Sequence, residues 1–392
     1  MWRSIASNAL TLFIVILIAA AGAVAWGRNE FVKPGPLAES ICLRVEGGAS
    51  LGGVSRNLED RGAISDARIF RIGADYAGKS SELKRGSYLI KPGTSMADVL
   101  AAITTAGAST CGQEVNFVIG VASINVVLRE LDPATQSFVE VAKFDPAGEI
   151  PAEYTEAVAE PDLRYQITVV EGVTSWQVVD GLRKADFLDG EIAEVPAEGS
   201  LAPKAYEVLK GGTRQDLIDK MMADQAATLA RLWEERSDDL PYDTPEKAMV
   251  MASIVEKETG IADERALVAS VFVNRLRQGM RLQTDPTVIY GITKGEGVLG
   301  RGLRQSELRR ETPYNTYVID GLPPGPIANP GAEAIRAALN PAETDYLFFV
   351  AKSLNPADGH VFAATLDEHN RNVEAFRAQE AAAGEAVAGD GG

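Results

Sequence analysis

The sequence predicts an α+β protein tethered by a single N-terminal transmembrane helix. Three observations lead there: an uncharged apolar run from Leu10 to Trp26, four short β-type runs that each end at a glycine and a Ser or Thr before a helical pattern, and a less broken helical stretch beyond Leu240. With 392 residues and 46% hydrophobic content, the chain has material for more than one core. Its 38 basic against 55 acidic residues leave a formal charge of -17, which excludes nucleic acid as a partner, because a phosphate backbone needs clustered Lys and Arg. A largely neutral glycan is compatible with that charge, since sugars are gripped by stacking and hydrogen bonds. Two His and two Cys, with neither HExxH nor CxxC, give no basis for a metal site. No cofactor is called for.

The elements follow in order. The apolar run, taken as a transmembrane helix over residues 10–27, is long enough at about 1.5 Å per residue to cross a bilayer. Ala21, Ala23 and Ala25 are spaced like a signal-peptide cleavage site. The run is longer than a signal core of about 7–15 residues, and Trp26 stands where an interfacial aromatic belongs, so an uncleaved anchor is the reading adopted. Arg3 precedes it, while Arg28, Glu30 and Lys33 follow, so flanking charge does not set its orientation. A linker with Pro34 and Pro36 covers 28–40. Next come LRVEGGAS from Leu43 and YLIKPGTS from Tyr88, then ITVVEGVTS from Ile167 and YEVLKGGT from Tyr206. In each, a β run stops at a turn glycine and a hydroxyl residue can cap the following helix. They define one β/α module over 41–110 and a second over 165–239. Residues 111–164 mix short apolar runs with acidic and proline-containing pieces such as PAGEIPAEY, and are expected to be an irregular insertion. The domain over 240–377 begins near LPYDTP. The last stretch, 378–392, is rich in Ala, Gly and Glu and is expected to be disordered. Cys42 and Cys111 are either a disulfide, if this part lies in an oxidising compartment, or two buried thiols.

One residue stands out in the last domain. Thr244-Pro245 reads as a helix cap and first position, and the helix should run through KAMVMASIVEKET. At helical spacing Glu258 falls on the apolar face with Ala248, Met251, Ile254 and Val255, whereas Glu256 and Lys257 are expected to face solvent. A carboxyl group against apolar side chains has its charged form disfavoured and so can donate a proton near neutrality. A helix-end Glu satisfied by a nearby Arg would fit the pattern as well. Downstream, MRLQTDPTVIY, PYNTY and GLPPGPIANP concentrate Pro, Gly, Tyr and amide side chains, as in rigid loops that present groups to a sugar.

The run MASIVEKETGIADERALVASVFVNRLRQGMRLQTDPTVIYG, followed by RRETPYNTYVIDGLPPGPIANPGAEAIRAALNP, resembles the endolytic murein transglycosylase family, of the YceG-like or MltG type. The resemblance is close over about 240–376 and looser upstream. It implies a short cytoplasmic N-terminus (1–9), one span of the bacterial inner membrane, LysM-like modules in the periplasm, a lysozyme-related transglycosylase domain and a partnership with peptidoglycan synthases. It assigns the catalytic carboxylate to Glu258, and points to Gln283, Tyr314 and Asn315 as substrate-binding residues, with Asp285 a possible auxiliary. Where the family usually has an EGxxxPDTY pattern this chain reads EGSLAPKAYEV, with Lys204 and Ala205 in place of the acid and hydroxyl residues.

The implied reaction cuts the MurNAc-GlcNAc β-1,4 bond of nascent peptidoglycan strands. Glu258 protonates the glycosidic oxygen and then, as carboxylate, takes the proton of the C6 hydroxyl as it closes onto C1, leaving a 1,6-anhydromuramoyl end without consuming water. The alternatives are a hydrolytic muramidase in which Asp285 or Glu264 directs water, and a noncatalytic glycan-binding scaffold. His360 and His369 suggest only core packing or a loop hydrogen bond.

Overall fold

The computed structural model describes residues 2–105, 109–160 and 162–389. The chain divides into two units, one made of Met1–Asn116, Val127–Phe144 and Gly148–Tyr165, the other of Phe117–Val126, Asp145–Ala147 and Gln166–Gly392.

In the first unit, helix α1 (Trp2–Val32) contains the Leu10–Val32 segment, apolar and long enough to cross a membrane and with none of its most apolar window buried in the protein. Strand β1 (Ile41–Val45), helices α2 (Leu51–Asp60) and α3 (Ala67–Tyr76) and strand β2 (Gly86–Ile90) form a βααβ unit in which β1 and β2 pair antiparallel, Leu43 opposite Tyr88. Helix α4 (Met96–Thr104) packs against it, and Leu43, Leu58, Phe70, Ile90 and Ile103 form its core. Cys42 and Cys111 are joined as a disulfide with Cα atoms 5.7 Å apart.

The described residues of 111–164 form regular elements, against the expectation of an irregular insertion. They hold strands β3 (Gln113–Ile119), β4 (Ile124–Asp132) and β5 (Ser137–Phe144) and helix α5 (Ala152–Ala159). The apolar runs were too short and the turns too polar to read as helices, but β3 and β4 carry enough β-branched and aromatic residues for a half-buried sheet. With β6 (Arg164–Val169) and β7 (Ala205–Val208) the strand order is β5-β4-β3-β6-β7.

The second unit continues with α6 (Ser175–Lys184) and α7 (Arg214–Glu234). Its core is built on α8 (Pro245–Glu258), α9 (Arg265–Arg277) and α12 (Ala332–Leu339); α10 (Asp285–Thr293) and the short α11 (Gln305–Leu308) lie between α9 and α12 in the chain. A two-stranded antiparallel sheet, β8 (Phe348–Ala351) and β9 (His360–Ala363), and helix α13 (Leu366–Gly389) complete it. Residues 378–389, expected to be disordered, continue α13, whose Ala and Glu content suits a helix better than coil.

The glycine-hydroxyl grammar operates in all four places. Gly48, Gly93, Gly172 and Gly211 take left-handed φ between 74° and 83°. Ser50, Ser95, Thr174 and Thr213 then accept from the backbone N-H three residues on and so cap α2, α4, α6 and α7.

Candidate active site

Helix α8 starts as the sequence dictates, with Thr244 accepting from the Lys247 N-H and Pro245 in the first turn. The amphipathic reading of its middle fails. Every residue from Ala248 to Val255 is buried, so the middle of α8 is a core helix without a solvent face. Glu256 and Lys257, expected to face solvent, are half-buried: Glu256 accepts from the Gly331 N-H (2.9 Å) at the start of α12, and Lys257 Nζ donates to the Gly172 carbonyl (3.2 Å). Burial raises the proton affinity of Glu256 and lowers that of Lys257.

Glu258 is the last residue of this helix. The residue as a whole keeps some exposure, while its carboxyl group is closely surrounded by protein. The Thr284 hydroxyl donates to Glu258 Oε1. Desolvation pushes the Glu258 carboxyl above the ordinary range; Asp285 adds to that, while the Thr284 hydrogen bond and the charges of His360 and Arg275 oppose it, and the net direction is up.

The loop that delivers Thr284 is held from several sides. Arg275 of α9, buried and with its charged form disfavoured by that burial, donates to the Leu282 carbonyl (2.8 Å) and the Leu347 carbonyl (2.6 Å). The Gln283 N-H donates to the Thr316 carbonyl (3.1 Å), the Thr284 N-H to Thr316 Oγ1 (3.0 Å), and Thr287 Oγ1 to the Thr284 carbonyl (2.8 Å). The LQTDP and YNTY segments are thereby stitched together. Gln283 has φ 54°, a left-handed conformation that costs a non-glycine residue about 1 kcal/mol or more and tends to persist where function holds it. Its side chain is exposed and makes no hydrogen bond among the described residues.

The other expected residues divide. Asp285 opens α10 and accepts from the Tyr317 hydroxyl (2.6 Å). Tyr317 holds its proton more tightly than usual, chiefly through burial and then through Asp285. Asn315 does not belong to a substrate surface. It is fully buried, with Nδ2 donating to the carbonyls of Glu307 (3.0 Å), Leu308 (3.2 Å) and Arg310 (2.7 Å), and Oδ1 accepting from the Tyr317 N-H (3.0 Å). It shapes the loop that carries Tyr317. Tyr314 packs its ring against Tyr290 (centroids 5.0 Å apart) at the edge of the core, with Lys294 Nζ 5.9 Å from its centre. Gln283, Asp285 and Glu258 are thus brought together around Thr284, and Asn315 is not.

Sequence reasoning missed Thr284, Tyr317 and Arg275, whereas His360 makes a hydrogen bond of the kind expected of it. Thr284 and Tyr317 lay inside quoted motifs but looked like ordinary loop residues. His360 Nδ1 lies 2.7 Å from Glu264 Oε2, and its backbone N-H donates to Glu264 Oε1 (2.7 Å), a pairing across 96 residues that no local pattern announces. Burial tends to raise the Glu264 carboxyl, but the His360 contacts outweigh it and leave Glu264 below the ordinary range. His369 stacks on Phe348 with centroids 5.1 Å apart. The departure at Lys204 is a surface ion pair with Asp224 (2.8 Å).

A protein of Bacillus subtilis (strain 168) named endolytic murein transglycosylase is 28% identical over 341 residues, covering 86% of this chain and 85% of that protein. One of the same name from Streptococcus pneumoniae serotype 2 (strain D39 / NCTC 7466) is 26% identical over 357 residues, and the match spans 85% of this chain but 58% of that longer protein. The crystal structure of a YceG-like protein from Listeria monocytogenes aligns at 26% identity with a TM-score of 0.45, covering 85% of this chain and 99% of that one. The model of the YceG-like family matches residues 146–375, more than half of the sequence, and the chain belongs to that family.

Proposed function

We propose that this protein is an endolytic lytic transglycosylase of peptidoglycan, with Glu258 as its general acid and then its base. The observation that carries the reading is a glutamate that ends a helix whose middle, Ala248–Val255, is buried, with its carboxyl desolvated and its proton affinity raised. A raised proton affinity favours the protonated form that donates to a glycosidic oxygen. As carboxylate it then accepts the proton of the MurNAc C6 hydroxyl while that oxygen closes onto C1. The C1–O4 bond breaks, the GlcNAc O4 leaves as a hydroxyl, and the 1,6-anhydro ring forms with no water consumed. Because the nucleophile belongs to the substrate, positioning supplies much of the rate. Gln283, with a free amide on a constrained backbone, is suited to orient the sugar.

The muramidase alternative needs a second carboxylate to activate water. Asp285 is engaged by Tyr317 and Glu264 by His360, which favours the intramolecular route. The segment Leu10–Val32 is read as a single-pass inner-membrane anchor with the bulk of the chain in the periplasm. The Cys42–Cys111 disulfide supports an oxidising compartment for that bulk. The βααβ unit is read as a LysM-like glycan-binding module, the 240–377 domain as lysozyme-related, and peptidoglycan synthases as partners.

The test is Glu258→Gln. Its shape is nearly unchanged but it can neither donate nor recover a proton, so cleavage of uncrosslinked glycan strands should fall by about 10²- to 10⁴-fold. Mass spectrometry should find anhydromuramoyl ends from the wild type only. Reducing ends carrying added water would select the muramidase, and cleavage by a folded Glu258→Gln would overturn the assignment.

A further inference from the structure

Glu258 has one oxygen engaged and one free. Oε1 accepts from the Thr284 hydroxyl, and Oε2 takes no hydrogen bond among the described residues. Thr284 itself cannot drift. It is buried, its N-H is fixed by Thr316 Oγ1, its carbonyl receives Thr287 Oγ1, and it directly precedes α10. A threonine so placed has one side-chain donor and has spent it on a carboxyl group. The next residue, Asp285, is oriented by the Tyr317 hydroxyl at 2.6 Å, and the Tyr317 backbone is in turn held by Asn315.

We propose that Thr284 is a positioning residue for the reaction, pinning Glu258 through Oε1 so that Oε2 alone meets the glycosidic oxygen and then the C6 hydroxyl. This rests on Glu258 being the acid and base. Thr284 and Asp285 act in opposite directions on one proton: a donated hydrogen bond stabilises the carboxylate, and a nearby negative charge destabilises it. The other charged or titratable groups facing Glu258 are Arg275 from α9 and His360 from β9, both of which favour the carboxylate, and Tyr317 itself.

The consequences are separable from loss of fold. The general acid works only when protonated, so kcat/KM falls as pH rises through the affinity of Glu258 in the free enzyme. Thr284→Val keeps the shape and removes the donor. It should move that falling limb to higher pH and lower kcat about tenfold or more, with KM little changed, since a hydrogen bond to a charged group is worth about 1.5–3 kcal/mol. Thr284→Ser keeps the donor and should recover most of the loss. Asp285→Asn should move the limb the other way, to lower pH.

The experiment measures pH profiles of the full-length protein and these variants on uncrosslinked glycan strands, with Glu258→Gln alongside and circular dichroism as the folding control. Opposite displacements by Thr284→Val and Asp285→Asn, with recovery in Thr284→Ser, are expected. Should Thr284→Val fail to fold, the Thr284→Ser and Asp285→Asn profiles decide. An inactive Glu258→Gln together with unmoved limbs in the other variants, or a Thr284→Ser as impaired as a folded Thr284→Val, would overturn the proposal and leave Glu258 in place. An active, folded Glu258→Gln would overturn both.

Discussion

At the scale of single residues, burial explains both the chemistry and its cost. The proton affinity of Glu258 is raised in the folded chain above the value of 4.5 for an unperturbed Glu. Ionising it therefore costs the folded state more than the unfolded one. Below pH 4.5 the group is protonated in both states and imposes no such penalty; the penalty appears as pH rises towards and through the folded value. Glu258→Gln should accordingly be as stable as the wild type or more so at neutral pH, with the difference shrinking at acid pH. Thermal unfolding at several pH values checks this, and a neutral-pH loss of stability would contradict it. Asn315 teaches the opposite lesson, that an amide in a functional motif can be wholly structural. Asn315→Ala leaves three carbonyls without their donor in a buried loop and should cost about 1–3 kcal/mol. Calorimetry should show a lowered midpoint. An unchanged midpoint with a raised KM would return Asn315 to the substrate surface.

At the scale of elements, the repeated device is a helix start that caps itself. Thr244 does for α8 what Ser50, Ser95, Thr174 and Thr213 do for their helices, and Thr244→Ala should cost about 1 kcal/mol in denaturant titration. Since α8 ends on Glu258, fraying at its start is far from the carboxyl, and turnover at low temperature should be retained. A large kcat loss with unchanged stability would show that the cap acts on the site instead. One glycine matters to packing here. A Cβ at Gly181 of α6 would lie 2.7 Å from Ile119 Cδ1 on β3, so helix and strand approach as closely as they do only because it is absent.

At the scale of the whole molecule, the chain belongs to the YceG-like family, and the enzyme is a murein transglycosylase by the reading given above. The Cys42–Cys111 bridge closes a loop with a sequence separation of 69 and ties β1 to the segment entering β3. Replacing both by Ser should destabilise the first unit by about 2–4 kcal/mol. The measurement is chemical unfolding of wild type and variant, with thiol counting to verify pairing. Two titratable thiols in the native protein would refute the bridge.

The apolar span, the hydroxyl caps and the start of α8 were legible from sequence alone. Each depends on residues within a few positions of one another, where hydrogen-bond reach and helical period are fixed by the backbone. The family was legible too, because its motifs are long and local. Tertiary structure decided the rest. The helical wheel put Glu258 on a buried face for a reason that proved incomplete, since the middle of α8, Ala248–Val255, is buried on every side and Glu256 is drawn in by the Gly331 N-H. The strands of 111–164 became visible only once paired, because the worth of a strand lies in the neighbour it pairs with. Thr284 meeting Glu258 across 26 residues and His360 meeting Glu264 across 96 are contacts that loop closure and core packing create. Periodicity cannot register them, because it carries information about one element's faces and none about what will be brought against them.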